Sequence, residues 1–208
     1  MTTRIKVCGI TRSADAEVVV AAGVDALGLV FTEHSPRQIA ADAAAEIAQQ
    51  VAGRVTRVGL FVDASAAEVE ATLRMVELDL LQFHGAETAQ FCGSFGLPYM
   101  KALRVRERVE IAELETAYAD ACCLLLDAYV PGQPGGTGQT FDWCLWPQHP
   151  AKSLVLAGGL HPDNVAAAIR QTRPYAVDVS GGVEGAVKGE KDAAKIFRFV
   201  KEVKSAGV

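Results

Sequence analysis

Short stretches of almost uninterrupted apolar residues alternate along the chain with longer stretches in which apolar positions recur at helical spacing. Eight apolar runs stand out, at 5–8, 26–31, 55–62, 78–83, 99–103, 122–126, 154–157 and 176–179. They are near-continuously apolar rather than alternating, the pattern of strands buried on both faces. Helices are expected between them. Residues 14–22 are rich in Ala, Val and Glu, with Gly23 as the stop signal. Residues 40–51 follow suit, with Gly53 beyond them. Ser65-Ala66-Ala67-Glu68 is a capping box opening a helix that carries Val69 and Leu73. Further helices are expected at 88–95, ending at Gly96, and at 109–118. Pro162 and Asp163 suit the first turn of a helix through Ile169. The last helix, 191–204, carries Ile196, Phe199, Val200 and Val203 on one face. The sixth crossover is weak: 142–146 is a short turn cut off by Pro147.

Eight strands with intervening helices allow a closed barrel or a doubly wound open sheet. The 208 residues give about 26 per strand–helix unit, near the lower limit for a barrel. Polar and glycine-rich segments follow nearly every apolar run. In a barrel all of them meet at one mouth, whereas an open sheet gathers only those near its switch point. The expected fold is therefore α/β: a compact (β/α)8 TIM barrel with a weak or missing sixth helix, forming one catalytic domain over 1–208.

Composition narrows the function classes. Half of the residues are hydrophobic and 22% are charged, which suits a packed core and not a disordered chain. The net charge is -5, and no Lys/Arg cluster marks a nucleic-acid surface. No run reaches the length of a membrane span, and residues 1–6 lack a signal-peptide core, so no membrane partner is expected. The five cysteines, at 8, 92, 122, 123 and 144, form neither a CxxC pair nor a disulfide framework. A reducing cytoplasm is the expected location. The histidines at 34, 84, 149 and 161 lack zinc spacing, and neither metal nor cofactor is expected. The size suits a monomer or a homodimer.

The candidate chemistry lies at strand ends. Cys8 closes the first run in Lys6-Val7-Cys8-Gly9-Ile10, and a residue there points into a barrel's mouth. Its thiolate would serve as a base; the alternative is a buried structural thiol. Asp127 follows Leu124-Leu125-Leu126 at the rim of the sixth strand, where partial desolvation would favour a general acid. The alternative is a carboxylate that only accepts backbone N–H bonds. An acid and a base facing each other across a substrate suit an isomerase. Ala157-Gly158-Gly159-Leu160 and Ser180-Gly181-Gly182-Val183 end strands seven and eight, where barrels bind phosphate through backbone N–H groups. The phosphate-binding candidates are Gly158, Gly159, Ser180, Gly181 and Gly182. Arg37, after strand two, suits a bidentate grip on a carboxylate, or is a solvated loop arginine. His84 ends strand four, and Asp178 within strand eight needs a partner or a function if buried. The glycine-rich loop 131–138 reads as a candidate lid or as a plain surface loop.

Taken together these residues resemble the phosphoribosylanthranilate isomerase family. The resemblance rests on Lys6-Val7-Cys8-Gly9-Ile10-Thr11, Ser35-Pro36-Arg37, Gly59-Leu60-Phe61-Val62, Gln82-Phe83-His84-Gly85, Leu126-Asp127, Gly136-Thr137-Gly138 with Phe141-Asp142-Trp143, Ala157-Gly158-Gly159-Leu160, Asp178-Val179-Ser180 and Gly189-Glu190-Lys191-Asp192. It spans the chain in order. It implies an Amadori rearrangement of a small phosphorylated substrate, N-(5'-phosphoribosyl)anthranilate. It further implies Asp127 as general acid, Cys8 as general base, Arg37 at the anthranilate end, phosphate at the two glycine-rich strand ends, and His84 and Asp178 as further polar contacts. The family commonly has Ser-Ser-Gly where this chain has Ser180-Gly181-Gly182. A hydroxyl is lost at Gly181 while the backbone N–H stays. Three other readings compete. The related histidine-pathway isomerase resembles a two-aspartate site, whereas this chain has Cys8 at the end of strand one. A catalytically silent phosphosugar-binding barrel would need neither Cys8 nor Asp127. A thiol redox protein built on Cys8 lacks a resolving cysteine nearby in sequence.

Overall fold

The computed structural model describes residues 2–33, 35–105, 111–128 and 143–206. Eight parallel strands close into a barrel in sequence order: β1 (Arg4–Cys8), β2 (Ala26–Val30), β3 (Thr56–Phe61), β4 (Leu80–Phe83), β5 (Tyr99–Val105), β6 (Cys123–Ala128), β7 (Leu154–Leu156) and β8 (Ala176–Val179). The helices are α1 (Ser13–Ala22), α2 (Ala41–Gln50), α3 (Ala66–Met75), α4 (Ala89–Cys92), α5 (Ile111–Ala117), α6 (Val165–Thr172) and α7 (Ala193–Ala206). Between β6 and β7 the described residues hold only a 3-10 turn, Trp143–Leu145, as the weak sixth crossover implies. The loop 131–138 lies outside the described residues. Among those residues no helix is long and apolar enough to cross a membrane.

The near-continuous apolar runs make sense once both strand faces are buried. Outward-facing Ile5, Val7, Leu27, Leu29, Leu124, Leu126, Val177 and Val179 join the core beneath the helices. Inward-facing Val58, Met100, Ala102, Leu125, Val155 and Ala157 fill the barrel itself. The helices bury single stripes against this sheet. On α7 the buried positions are Ile196, Phe199, Val200, Val203 and Ala206. The capping box opens α3: Ser65 Oγ accepts from the Glu68 amide, and the Glu68 carboxylate accepts from the Ser65 amide. Such a cap is worth about 1 kcal/mol. Gly23 ends α1 in the left-handed conformation, at φ 74°.

The helix expected over 88–95 divides into α4 and a 3-10 turn at Gly93–Phe95, the fourth strand begins at Leu80, and three further boundaries differ near the barrel mouth. The sixth strand runs past Leu126 to Ala128 because β5 is long and keeps offering pairing partners, so Asp127 sits inside the ladder opposite Arg104. The helix expected from Pro162 starts at Val165, since Asn164 turns its side chain back: Oδ1 accepts from the His161 amide and Nδ2 donates to Gly159 O. The last helix starts at Ala193 because Lys191 is held in an antiparallel bridge with Glu184.

Candidate active site at the barrel mouth

Inward-facing residues near the carboxyl ends of the strands surround a cavity of about 190 Å³. All ten residues singled out from the sequence line it: Cys8 and Asp127; Arg37, His84 and Asp178; Gly158, Gly159, Ser180, Gly181 and Gly182. Gln82 and Arg104 line it as well.

Cys8 and Lys6 share the inward face of β1, two residues apart. Lys6 is buried, and its ammonium lies 3.0 Å from both oxygens of Asp178, its register partner on β8. Asp178 is thus a buried carboxylate with a partner, as its position required. Burial raises the Cys8 thiol above its ordinary value; the Lys6 charge pulls it back, Asp178 adds to the rise, and Lys191 pulls it back further. Burial likewise raises the Asp178 carboxyl, with Lys6 opposing. For Lys6, Asp178 and Cys8 together outweigh burial and leave the ammonium raised. The chain turns away after the sulfur at Gly9, whose φ is 76°. Both Gly9 and Ile10 then donate to Gly28 O at 2.9 Å.

Across the cavity, His84 faces Asp127, with Nε2 3.2 Å from Oδ2. The ring nitrogen is off-line for a hydrogen bond, so the contact is a short electrostatic one. The Gln82 side-chain amide donates to His84 Nδ1 at 3.2 Å, and in that orientation the ring proton sits on Nε2, towards Asp127. Below these groups Lys101 and Glu87 form a fully buried pair at 2.7 Å. Glu87 accepts from the Asp63 and Gly85 amides, and Lys101 donates to Gly85 O, which pins the loop that follows His84.

Arg37 is neither solvated nor open on every edge. Only 7% of it is exposed, and its alkyl stem lies over Gly9, where a Cβ would come within 2.6 Å of Arg37 Cδ. Its Nε donates to Glu184 Oε1 at 2.6 Å and its Nη2 to Oε2 at 3.0 Å. The sequence reading expected a bidentate carboxylate grip; within the fold the gripped carboxylate is that of Glu184. Lys191 donates to the same Oε1 at 3.0 Å and to Ser180 O at 3.2 Å. Burial by itself would raise the Glu184 carboxyl, but the Arg37 hydrogen bonds and the Lys191 charge outweigh it and bring it down to about 2. Burial pulls the Lys191 ammonium below its ordinary value, with Glu184 opposing.

The loops after β7 and β8 meet beside this cluster. Gly158 and Gly159 have φ of 89° and 61°, a backbone conformation that residues with side chains adopt only at a cost. The Ser180 hydroxyl donates to Cys8 O at 2.9 Å and ties the β8 loop to β1. No hydrogen bond among the described residues uses the amides of Gly158, Gly159, Gly181 or Gly182. Such a set of free N–H groups suits an anion.

Lys6, Gly28, Glu184 and Lys191 were missed as site residues. A signal existed for two: Lys6 stands two residues before Cys8, on the same strand face, and Lys191 lies in the Gly189–Asp192 segment that supported the resemblance. Glu184 carries none.

The family model described as N-(5'phosphoribosyl)anthranilate (PRA) isomerase matches residues 5–202. A relative from Thiobacillus denitrificans, named N-(5'-phosphoribosyl)anthranilate isomerase, is 53% identical over 206 residues, which cover 99% of this chain and 100% of the relative. The crystal structure of phosphoribosyl anthranilate isomerase from Thermotoga maritima matches with a TM-score of 0.87 at 36% identity, covering 98% of this chain and 99% of that one. A phosphoribosyl anthranilate isomerase solved in complex with reduced 1-(o-carboxyphenylamino)-1-deoxyribulose 5-phosphate matches with a TM-score of 0.81 at 34% identity, over 98% of this chain and 99% of that one. With matches that run the whole length of the barrel, this chain belongs to the phosphoribosylanthranilate isomerase family.

Proposed function

We propose that this chain isomerises N-(5'-phosphoribosyl)anthranilate to 1-(2-carboxyphenylamino)-1-deoxyribulose 5-phosphate, a step of tryptophan biosynthesis, by general acid–base catalysis. The observation that carries the reading is the convergence of Cys8 and Asp127, from β1 and β6, on one cavity also lined by Gly158, Gly159, Gly181 and Gly182, whose amides have no acceptor among the described residues.

In this reading the phosphate rests on those four amides. Protonated Asp127 gives its proton to the furanose ring oxygen. The C1'–O bond breaks as the anilino nitrogen forms a C=N bond, leaving a protonated Schiff base. The Cys8 thiolate takes the proton from C2', and the freed electron pair makes the C1'=C2' bond of a neutral enolamine. The enolamine gains a proton at C1' and loses one from the C2' hydroxyl, giving the ketone. Proton transfers complete the reaction, so it calls for no cofactor. Desolvation makes the Cys8 thiolate a stronger base than a solvated one, with Lys6 and Lys191 providing the charge that lets it form. His84, with its proton towards Asp127, orients that carboxyl group. The five free thiols and the biosynthetic role suit a reducing cytoplasm.

The fluorescence of phosphoribosylanthranilate, generated in situ, tests the reading. Wild type should consume the signal. Cys8→Ser and Asp127→Asn should each lower kcat by roughly 10²–10⁴ with folding intact. A wild type that leaves the signal untouched rejects the substrate, and a Cys8→Ser variant of near-normal rate rejects the base.

A further inference from the structure

We infer that Lys191, acting through Glu184, makes Arg37 the receptor for the substrate's aromatic carboxylate, so that these two residues position Arg37 and set specificity for an acidic over a neutral aniline end. The inference rests on the proposed substrate. A guanidinium presents two forks of paired N–H groups, one along Nε and Nη2 and one along Nη1 and Nη2. In Arg37 the first fork is filled by the two oxygens of Glu184. The second has no acceptor among the described residues, where the side-chain bonds of Arg37 all go to Glu184, and Arg37 lines the cavity. The stem is fixed across Gly9, so the fork cannot swing away.

Geometry alone would leave a weak receptor, because an Arg37–Glu184 pair is neutral and offers an incoming anion little field. Lys191 changes the charge count. Its side chain is wholly buried, 3.0 Å from Glu184 Oε1, and its other acceptors, the carbonyl and hydroxyl of Ser180, are uncharged. Two cations thus share one carboxylate, and with Cys8 in its thiol form the cluster carries one unbalanced positive charge in a desolvated setting. Such a charge is costly unless an anion joins it. A substrate carboxylate on the open fork would complete two ion pairs. The substrate's other anion, its phosphate, has its own amides on the loops after β7 and β8. Lys191 itself cannot touch the ligand, so it acts through Glu184 and Arg37.

The test is a binding comparison with two stable ligands that both keep the phosphate: the reduced product analogue and the same compound without its carboxylate. Inorganic phosphate serves as a third probe. Wild type should prefer the carboxylated ligand by about tenfold or more, as expected for one desolvated charge-assisted pair. Lys191→Met should shrink that preference to about threefold or less, since any loss from the freed Ser180 loop falls on both phosphate-bearing ligands alike and cancels in their ratio. The Glu184→Gln, Lys191→Met double variant restores the single unbalanced charge on Arg37, and should regain the preference. If Lys191→Met weakens both ligands equally, or the preference persists, the inference is overturned. Should Lys191→Met not fold, the double variant decides, and one that folds yet shows no preference overturns it too. A wild type that binds neither analogue instead rejects the underlying substrate assignment.

Discussion

The sulfur of Cys8 occupies the space that a side chain at Gly28 would fill: a Cβ at position 28 would lie 2.7 Å from Sγ and 3.1 Å from Cys8 Cα. Gly28 is the register partner of Cys8 on β2, and its φ carries no strain, so its role is to leave room. Gly28→Ala must therefore push the thiol out of line or tilt the first strand. Overfilling of this kind costs about 1–3 kcal/mol of stability. A displacement of about 1 Å at a reacting group costs about 100-fold in rate. We expect Gly28→Ala to remain folded at 25 °C with kcat reduced about 10- to 100-fold and KM little changed. Steady-state kinetics beside a thermal melt check this, and an unaltered kcat would show that the thiol has slack.

Gly182 makes a similar allowance at the other wall. A Cβ there would lie 1.9 Å from Leu160 O and 2.9 Å from His161 Cα, both backbone atoms with no freedom to swing away. The β8 loop packs against the β7 loop only because position 182 has no side chain. Gly182→Ala should part the two loops and so spread the amides proposed to hold phosphate. The expected result is a KM raised by about tenfold or more, with a matching loss of competitive inhibition by inorganic phosphate. Unchanged inhibition by phosphate would move the anion site elsewhere.

These two glycines also mark what was legible in the sequence. Buried parallel strands advertise themselves as unbroken apolar runs, so the barrel and its mouth could be read directly, and strand-end positions located Cys8, His84 and both glycine pairs. Gly28 was silent because a glycine inside an apolar run looks like any small residue until the neighbouring strand is in place. Asp127 read as a residue beyond its strand because strand length is set by the partner, here β5. Arg37 reads as a side chain suited to a bidentate grip on a carboxylate, and in the fold it grips Glu184. Its first carboxylate is 147 residues away in the chain, at a position where Glu184 looks like any solvated loop acid.

Glu184 gives the network a signature in acid. Its carboxyl is depressed to about 2 in the folded protein, against about 4.3 when unfolded. A depressed carboxyl contributes stability that is present above the unfolded value and is lost as pH falls towards the folded one. The window is therefore from about pH 4.5 down to about 2, and the contribution at neutral pH is roughly 3 kcal/mol. Glu184→Gln should remove up to one proton from the pH dependence of unfolding within that window. Denaturant midpoints taken between pH 6 and pH 3 would show it as a shallower acid limb. An unaltered limb would mean that Glu184 is not held by Arg37 and Lys191 in solution.

The pair beneath Cys8 separates stability from reactivity. Removing one partner of a buried ion pair strands the other, at a cost of about 3–5 kcal/mol, whereas replacing both with apolar groups is often neutral. Lys6→Met leaves Asp178 buried without its ammonium and should be strongly destabilised. The Lys6→Met, Asp178→Leu double variant should recover most of that loss. It should not recover the thiol. Lys6 pulls the Cys8 pKa down more than Asp178 pushes it up, so losing both raises it further. In wild type the rate of Cys8 alkylation should climb with pH through a midpoint above that of an ordinary thiol, and in the double variant the midpoint should move higher still. Monitoring alkylation of Cys8 by peptide mass across pH 6 to 11 separates this buried, cavity-lining thiol from the other four, of which Cys122 and Cys144 are exposed. A double variant that is stable and alkylates at lower pH than wild type would show that Asp178 raises the thiol more than Lys6 lowers it.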